Sequence, residues 1–127
     1  MMQRHALIID DNVINVKVLT QLLAKCGISS TSITDPRKLD TTAFAPGSID
    51  VVFLDLEMPN ISGYELLDQL RAAFGTTPIV ACTVHVSEVN VARQLGFDGF
   101  LGKPLDLDRF PDQVTNIING QPVWERM

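Results

Sequence analysis

Cysteine is scarce in this sequence, with Cys26 and Cys82 as the two thiols among 127 residues, each in apolar surroundings. Thiol metal sites need closely spaced cysteines, and small secreted domains need several of them to form a disulfide framework. Neither pattern is present. We therefore expect both cysteines to be small apolar core residues.

Positive charge is also in short supply. Ten lysines and arginines stand against 15 aspartates and glutamates, which gives a formal net charge of −5. Proteins that bind the phosphate backbone of nucleic acids carry clustered basic residues, and the sequence has no such run. We therefore expect no nucleic-acid partner.

Long apolar runs are missing as well. A membrane-spanning helix needs about 20 consecutive apolar residues, and a secretory signal needs an apolar core followed by a cleavage site. The sequence, which begins MMQRHALIIDD, has neither. We expect a cytoplasmic protein with no membrane contact, and the initial Met and the tail PVWERM favour a complete, stand-alone chain.

What the sequence does contain is an alternation of strand and helix patterns within a length that suits one domain. Apolar runs bounded by turn residues predict five strands, over residues 5–9, 28–33, 49–54, 78–82 and 99–101. Apolar residues three and four positions apart predict five helices, over residues 13–26, 36–44, 62–74, 87–95 and from about 108 onwards.

Two details concern the last helix. Its predicted inner face consists of Leu107, Phe110, Val114, Ile117 and Ile118. Pro111 would break a helix interior, so we expect the helix to begin near Asp108, which places the proline in the first turn.

Alternating strands and helices form an open parallel sheet, because right-handed crossovers place each connecting helix on a face of the sheet. The predicted fold class is therefore α/β, with a doubly wound five-stranded parallel sheet and helices on both faces. We assign residues 1–120 to this domain and expect the tail, residues 121–127, to be irregular. Ligands of such sheets bind beyond the carboxyl ends of the strands.

Polar side chains follow the predicted strands at that edge: Asp10 and Asp11 after the first, Asp55 after the third, Thr83 after the fourth and Lys103 after the fifth. Three neighbouring carboxylates raise one another's pKa unless a cation neutralises them, and oxygen ligands suit a hard ion such as Mg²⁺. Because Mg²⁺ often shares its coordination with a phosphoryl group, the pattern indicates a phosphate-receiving site.

Each residue type there has a role in phosphoryl transfer. A carboxylate can attack phosphorus, an ammonium group can hold a phosphoryl oxygen, and a hydroxyl can donate to another. Asp55 is the best candidate nucleophile, because it ends the central strand between the first-loop aspartates and Lys103.

Taken singly, the same residues have structural interpretations. Asp10, Asp11 and Asn12 could cap the first helix, and Asp55 with Pro59 could form an ordinary turn. Thr83 could satisfy backbone groups at a strand end, and Lys103 could be a solvated surface lysine. Their joint placement at one edge favours the functional interpretation.

Five segments resemble, in order, the motifs of the response-regulator receiver family: LIIDDN, VVFLDLEMP, SGYELL, VACT and GFDGFLGKP. The resemblance extends over nearly all of residues 3–120. It implies a flavodoxin-like strand order of 2-1-3-4-5. It also implies a single-domain signalling protein, not an enzyme in its own right, that accepts phosphate on Asp55 from a histidine kinase or histidine phosphotransfer protein.

The resemblance further implies a metal site. Asp11, Asp55 and the backbone carbonyl of Glu57 would bind Mg²⁺, and Asp10 would act through water.

It also implies a switch. Thr83 and Lys103 would bind the phosphoryl group, and the aromatic ring of Phe100 would turn inward as Thr83 moves toward the phosphate. A cis peptide bond would precede Pro104.

Three features depart from the family's usual pattern. Val84 stands where a very small residue is common, and we expect it to slow phosphotransfer or hydrolysis, with His85 tuning access to the site. The stretch between Thr83 and Lys103 is short, and Pro111 delays the last helix. These changes affect the usual signalling face, so we expect a monomer or a weak dimer that acts on an unknown downstream protein.

Two other functions remain open. A pseudo-receiver would keep the fold and bind partners without phosphorylation. A small phosphohydrolase would use Asp55 as a covalent nucleophile, but Glu57 stands where such enzymes usually have a second aspartate.

Overall fold

The structure, a computed structural model, describes residues 3–58 and 61–125. The strands are β1 Arg4–Ile9, β2 Ile28–Ile33, β3 Val51–Asp55, β4 Glu57–Met58, β5 Ile61–Ser62, β6 Ile79–Thr83, β7 Gly99–Gly102 and β8 Val123–Trp124. The α-helices are α1 Val13–Lys25, α2 Gly63–Phe74, α3 Val89–Leu95 and α4 Phe110–Ile118. Among these helices, none is long and apolar enough to span a bilayer.

The main sheet is parallel throughout, in the order β2-β1-β3-β6-β7-β8. β6 and β7 correspond to the predicted fourth and fifth strands, so the first five strands of the sheet confirm the predicted order 2-1-3-4-5. The sixth strand, β8, lies in the tail that was predicted to be irregular, and for these residues that prediction is wrong. Val123 and Trp124 pair with Gly99 and Phe100. Two residues are too few to show a strand pattern in the sequence. They form a strand because they pair with the edge strand β7.

The segment between β2 and β3 corrects a second prediction. Residues 36–44 form two 3-10 turns, Pro36–Lys38 and Thr41–Ala43, instead of one short helix. The side chains of Asp35 and Asp40 accept backbone hydrogen bonds two residues further on, a local pairing that competes with a continuous helix.

The other helices follow the predictions more closely. Residues 87–95 were predicted as one helix, and a 3-10 turn, Val86–Glu88, leads into the short α3. The last helix, α4, begins at Phe110, with Pro111 in its first turn as predicted. Leu107 precedes that helix and is 64% exposed, so its assignment to the inner face is wrong.

The core has two layers, one on each face of the sheet. Helices α2 and α3 pack on the layer that includes Leu7, Ile9 and Leu54, whereas α1 and α4 pack on the layer that includes Ile8 and Phe53. Neighbouring residues of β1 and β3 thus enter opposite layers, as the alternation of strand side chains requires. Helices on both faces bury every residue of β3, which makes it the central strand.

Candidate acidic site at the carboxyl edge of the sheet

The strand ends deliver the predicted side chains to one place. Asp10, Asp55 and Thr83 are buried, with 5%, 6% and 1% of their surface exposed, and Asp11 is half-buried. One carboxylate oxygen from each of Asp10, Asp11 and Asp55 lies within 4.8 Å of the other two. The three carboxylates are therefore close enough to bind one cation.

In the loop after β1, Asn12 caps helix α1, whereas Asp10 and Asp11 belong to the acidic cluster. The Asn12 side chain caps α1 by accepting hydrogen bonds from the amides of Ile14 and Asn15, at 2.9 and 3.1 Å. Asp10 Oδ1 accepts from the Asn12 amide at 2.9 Å, which fixes the turn. The structural interpretation thus applies to Asn12, and no cap bond to Asp11 occurs in the described part of the chain.

Asp55 is held by its own loop and by the start of α2. Its Oδ1 accepts a hydrogen bond from the Glu57 amide at 3.1 Å. Gly63, the first residue of α2, packs against the same strand end. A Cβ atom there would lie 2.5 Å from the Asp55 carbonyl oxygen, so the close approach of helix and strand requires glycine.

Lys103 links two of the carboxylates. Its Nζ lies 2.9 Å from Asp10 Oδ2 and 3.4 Å from Asp55 Oδ1, and its side chain is 14% exposed. The Lys103 amide donates to the Thr83 carbonyl at 2.8 Å, which ties the loop after β7 to the end of β6. The Lys103–Pro104 peptide bond is cis, as the resemblance implied.

The charges of this cluster perturb one another. Burial, reinforced by the neighbouring Asp10 and opposed by Lys103, raises the pKa of Asp55 to about 7. Burial lowers the pKa of Lys103, but its bond to Asp10 and the charge of Asp55 outweigh this, so its pKa is raised. Burial and the charge of Asp10 thus disfavour the ionised form of Asp55, and a divalent cation bound beside it would favour that form.

A second group of side chains lies at the mouth of the site. The Thr83 hydroxyl donates to Glu57 Oε1 at 3.2 Å, and His85 Nε2 lies 2.8 Å from the same oxygen. Only the backbone carbonyl of Glu57 was predicted to belong to the site, and this contact of its side chain was not predicted. The signal was present, because Glu57 stands two residues beyond Asp55 and opposite the threonine at the end of the adjacent strand.

The remaining predicted residues flank this group. Val84 is 59% exposed at the opening, and the His85 side chain is 57% exposed beside it. Phe100 is completely buried in the core layer below α2 and α3. Its ring therefore occupies the inward position while Thr83 is bound to Glu57.

Two cavities meet at Asp55 and Lys103. The polar pocket, of about 260 Å³, is lined by Asp11, Asn12, Asn15, Asp55, Glu57, Thr83, Val84 and Lys103. The apolar pocket, of about 310 Å³, lies on the other side, and its walls include Leu19, Phe53, Cys82 and Leu107. Cys82 is 4% exposed and is a core residue, as predicted, and burial raises the pKa of its thiol to about 12. Cys26 is only partly buried at the edge of the core, so the same prediction is wrong for that cysteine.

The carboxylates in the polar pocket fit a hard divalent cation. Carboxylate and carbonyl oxygens are the ligands that Mg²⁺ selects, and three carboxylates with a lysine leave room for an anion beside it. The arrangement can therefore bind a metal and an anionic group side by side.

These features define a class, that of flavodoxin-like α/β domains with an acidic cluster and a lysine at the carboxyl edge of the sheet. Within it, the family model described as the response regulator receiver domain matches residues 6–115. The chain therefore belongs to the response regulator receiver family. It is a signalling domain of the type used in two-component and phosphorelay pathways.

Curated relatives include regulators and kinases. The chain is 34% identical over 125 residues to stress response regulator protein 1 of Scheffersomyces stipitis, covering 91% of this chain and 42% of that protein. It is 33% identical over 118 residues to sensor histidine kinase AtsR of Burkholderia thailandensis, covering 89% of this chain and 19% of that protein. The chain thus spans less than half the length of each.

Solved structures agree on the fold. A two-component response regulator from Clostridium difficile is 28% identical, with a TM-score of 0.79 over 92% of this chain and 97% of that one. The receiver domain of a sensor histidine kinase from Pseudomonas aeruginosa, solved with a magnesium ion in its active-site cleft, is 21% identical. Its TM-score is 0.77 over 93% of this chain and 99% of that one.

Proposed function

We propose that this domain is a phosphoacceptor in which Asp55 receives a phosphoryl group in the presence of Mg²⁺. The observation that carries the proposal is the approach of the Asp10, Asp11 and Asp55 carboxylates to within 4.8 Å, with Lys103 in contact with two of them. Family membership supports the same conclusion.

The residues at this edge would hold the metal. Asp11, Asp55 and the backbone carbonyl of Glu57 would be direct ligands, and Asp10 would act through water. When bound, Mg²⁺ would neutralise the carboxylates and the charge that develops on the transferred phosphoryl oxygens. The magnesium ion in the related Pseudomonas aeruginosa receiver supports this choice.

In the transfer step, an Asp55 oxygen forms a bond to phosphorus while the bond between phosphorus and the donor's imidazole nitrogen breaks. The electron pair of that bond stays on the imidazole, which regains a proton from solvent. Lys103 Nζ, already 3.4 Å from Asp55 Oδ1, would bind a phosphoryl oxygen.

The switch would follow from competition for one hydroxyl. Thr83 donates to Glu57 Oε1, so binding the phosphoryl group requires the hydroxyl to leave this carboxylate. Phe100 is already completely buried while Thr83 is bound to Glu57, so the inward turn that the resemblance implies for its ring is not a step of this switch. The change would alter a protein-binding surface that a downstream partner recognises.

The donor would be a histidine kinase or a histidine phosphotransfer protein, as the kinases among the relatives suggest. We further propose a cytoplasmic, monomeric or weakly dimeric protein whose receiver domain comprises residues 1–120 together with the edge strand β8. Val84 and His85, exposed at the opening, would modulate access to Asp55.

One observation favours a pseudo-receiver as the alternative. The Thr83 hydroxyl is engaged by Glu57, and Glu57 is itself paired with His85, so the switch residue has a partner without any phosphoryl group. If that arrangement is permanent, the domain would bind partners in one state only.

Intact mass after incubation with acetyl phosphate and Mg²⁺ distinguishes these functions. The wild type should gain one phosphoryl adduct, which Asp55→Asn and chelation of Mg²⁺ should each abolish. Asp68→Asn, at an exposed aspartate of α2, is the matched control and should be labelled normally. An unlabelled wild type would contradict the phosphoacceptor and favour the pseudo-receiver.

A further inference from the structure

The chain continues past α4 to cover the edge of β7. The Glu125 amide donates to the Phe100 carbonyl at 2.9 Å, which extends the pairing of β8 with β7. In the described residues the backbone ladder ends there, and the next β7 amide on that side belongs to Gly102. An unpaired buried amide is costly, so the identity of its acceptor matters.

The acceptor is the side chain of Glu125. Its Oε1 accepts from the Gly102 amide at 2.9 Å, and its Oε2 accepts from Gln113 Nε2 at 2.7 Å. The Glu125 side chain is 10% exposed and Gln113 is 6% exposed. Burying a carboxylate is unfavourable unless donors compensate it, and these two donors hold it at one point of the strand.

That point adjoins the proposed phosphoryl site. Gly102 precedes Lys103, and the Lys103 amide is bound on the other side by the Thr83 carbonyl at 2.8 Å. A Cβ atom at Gly102 would lie 3.3 Å from Glu125 Oε1 and 2.8 Å from Val86 Cγ1, so the close approach depends on glycine. The backbone from which Lys103 extends is therefore held from both neighbouring strands.

We propose that Glu125 is a positioning residue for Lys103, an inference that rests on the proposed phosphorylation of Asp55. By fixing the Gly102 amide, the carboxylate sets the origin of the lysine side chain, whose Nζ must remain near Asp10 and Asp55. Glu125 thus contributes to the site through the backbone of Gly102.

The test measures the initial rate of phosphoryl uptake from acetyl phosphate, with Mg²⁺ present, in the full chain. Glu125→Ala should lower this rate about tenfold, as expected when a residue that orients a site is removed. Glu125→Gln keeps an oxygen for Gly102 and should remain within about twofold of the wild type. Asp112→Ala is the matched control, because Asp112 is an exposed residue of α4 and should have no effect.

A double-mutant comparison separates positioning from general stability. In a Lys103→Ala background, Glu125→Ala should cause no further loss of rate, because its effect passes through the lysine. An equal tenfold loss in both backgrounds, or a normal rate in Glu125→Ala, would overturn the inference. A wild type that takes up no phosphate is a different result, which would overturn the proposed function and this inference with it.

Amide hydrogen exchange gives a readout that does not depend on phosphorylation. Glu125→Ala should speed exchange at Gly102, while the α1 amides keep wild-type protection. Unchanged protection of Gly102 would contradict the bond on which the inference is built.

Discussion

The two pockets beside Asp55 share part of their walls but differ in character. Asn15, Asp55 and Lys103 line both, yet the polar pocket adds Asp11, Glu57 and Thr83, and the apolar pocket adds Leu19, Phe53 and Cys82. The difference arises because loop residues after the strand ends face one side and the core layer of α1 and α4 faces the other. Asp55 therefore faces polar side chains on one side and mostly apolar ones on the other.

This contrast explains how a single aspartate can be both accessible and perturbed. Burial raises the pKa of Asp55, while the polar side offers the space in which a cation and a phosphoryl group would bind. Lys103 lines both pockets and contacts both Asp10 and Asp55.

Removing the shared lysine should have the largest effect. Lys103→Ala takes away the cation that faces Asp10 and Asp55, and we expect phosphoryl uptake from acetyl phosphate to slow about 100-fold. Intact mass spectrometry over time provides the rate. Lys17→Ala, at an exposed lysine of α1, is the control, and equal rates in the two variants would contradict the assigned role.

Damage confined to the apolar wall should reduce stability but preserve the site. Leu19 is 6% exposed, and Leu19→Ala should cost about 3 kcal/mol of unfolding free energy in urea titrations. Leu95→Ala, at a leucine that is 52% exposed, should cost less than about 0.5 kcal/mol. A marked loss of Mg²⁺ affinity in folded Leu19→Ala would show that the two pockets are not separable.

Because the pKa of Asp55 is raised, replacing this aspartate with the neutral asparagine should increase the stability of the fold by an amount that depends on pH. The folded, Mg²⁺-free protein binds this proton more tightly than the unfolded chain, whose carboxyl has the ordinary pKa of 3.8. Stability should therefore fall as the pH rises from about 4 to about 7. At pH 8, Asp55→Asn should melt about 5 °C higher than the wild type, and this advantage should vanish near pH 4.

Thermal melts with Mg²⁺ chelated would measure this advantage, with Asp68→Asn as the exposed control. The same advantage at both pH values would refute the electrostatic explanation.

The smallest expected effect concerns the opening of the polar pocket. Val84 is 59% exposed there, and Val84→Ala should speed phosphoryl uptake and loss about threefold by widening the approach to Asp55. Val91→Ala, at a valine of α3 that is 47% exposed, is the matched control. Rates identical to the wild type would remove Val84 from the access route.

Much of this architecture could be predicted from the sequence. Apolar runs that end in Asp10, Asp55 and Thr83 predicted both the strands and the edge at which these side chains meet, because parallel strands align their carboxyl ends. The proline at position 111 likewise indicated where α4 could begin. These are local signals, each contained within a few residues.

Other features depend on pairing over long distances. Glu57 meets Thr83 across 26 residues, and Gly102 meets Glu125 across 23. The residues around one member of such a pair give no indication of which distant residue it will contact. The prediction of a helix over residues 36–44 was wrong for a different reason. The side chains of two aspartates accept hydrogen bonds from backbone amides there, which favours two short turns over one helix.

The sequence by itself determined the periodicity, the order of strands and helices, and which residue types follow each strand, because these depend on near neighbours along the chain. Only the tertiary structure decided that Lys103 joins Asp10 to Asp55, that β8 pairs with the edge of β7, and that apolar side chains line one side of Asp55. The reason is physical: hydrogen bonds and desolvation act between groups that folding brings together, and their strength depends on a proximity that the sequence does not contain.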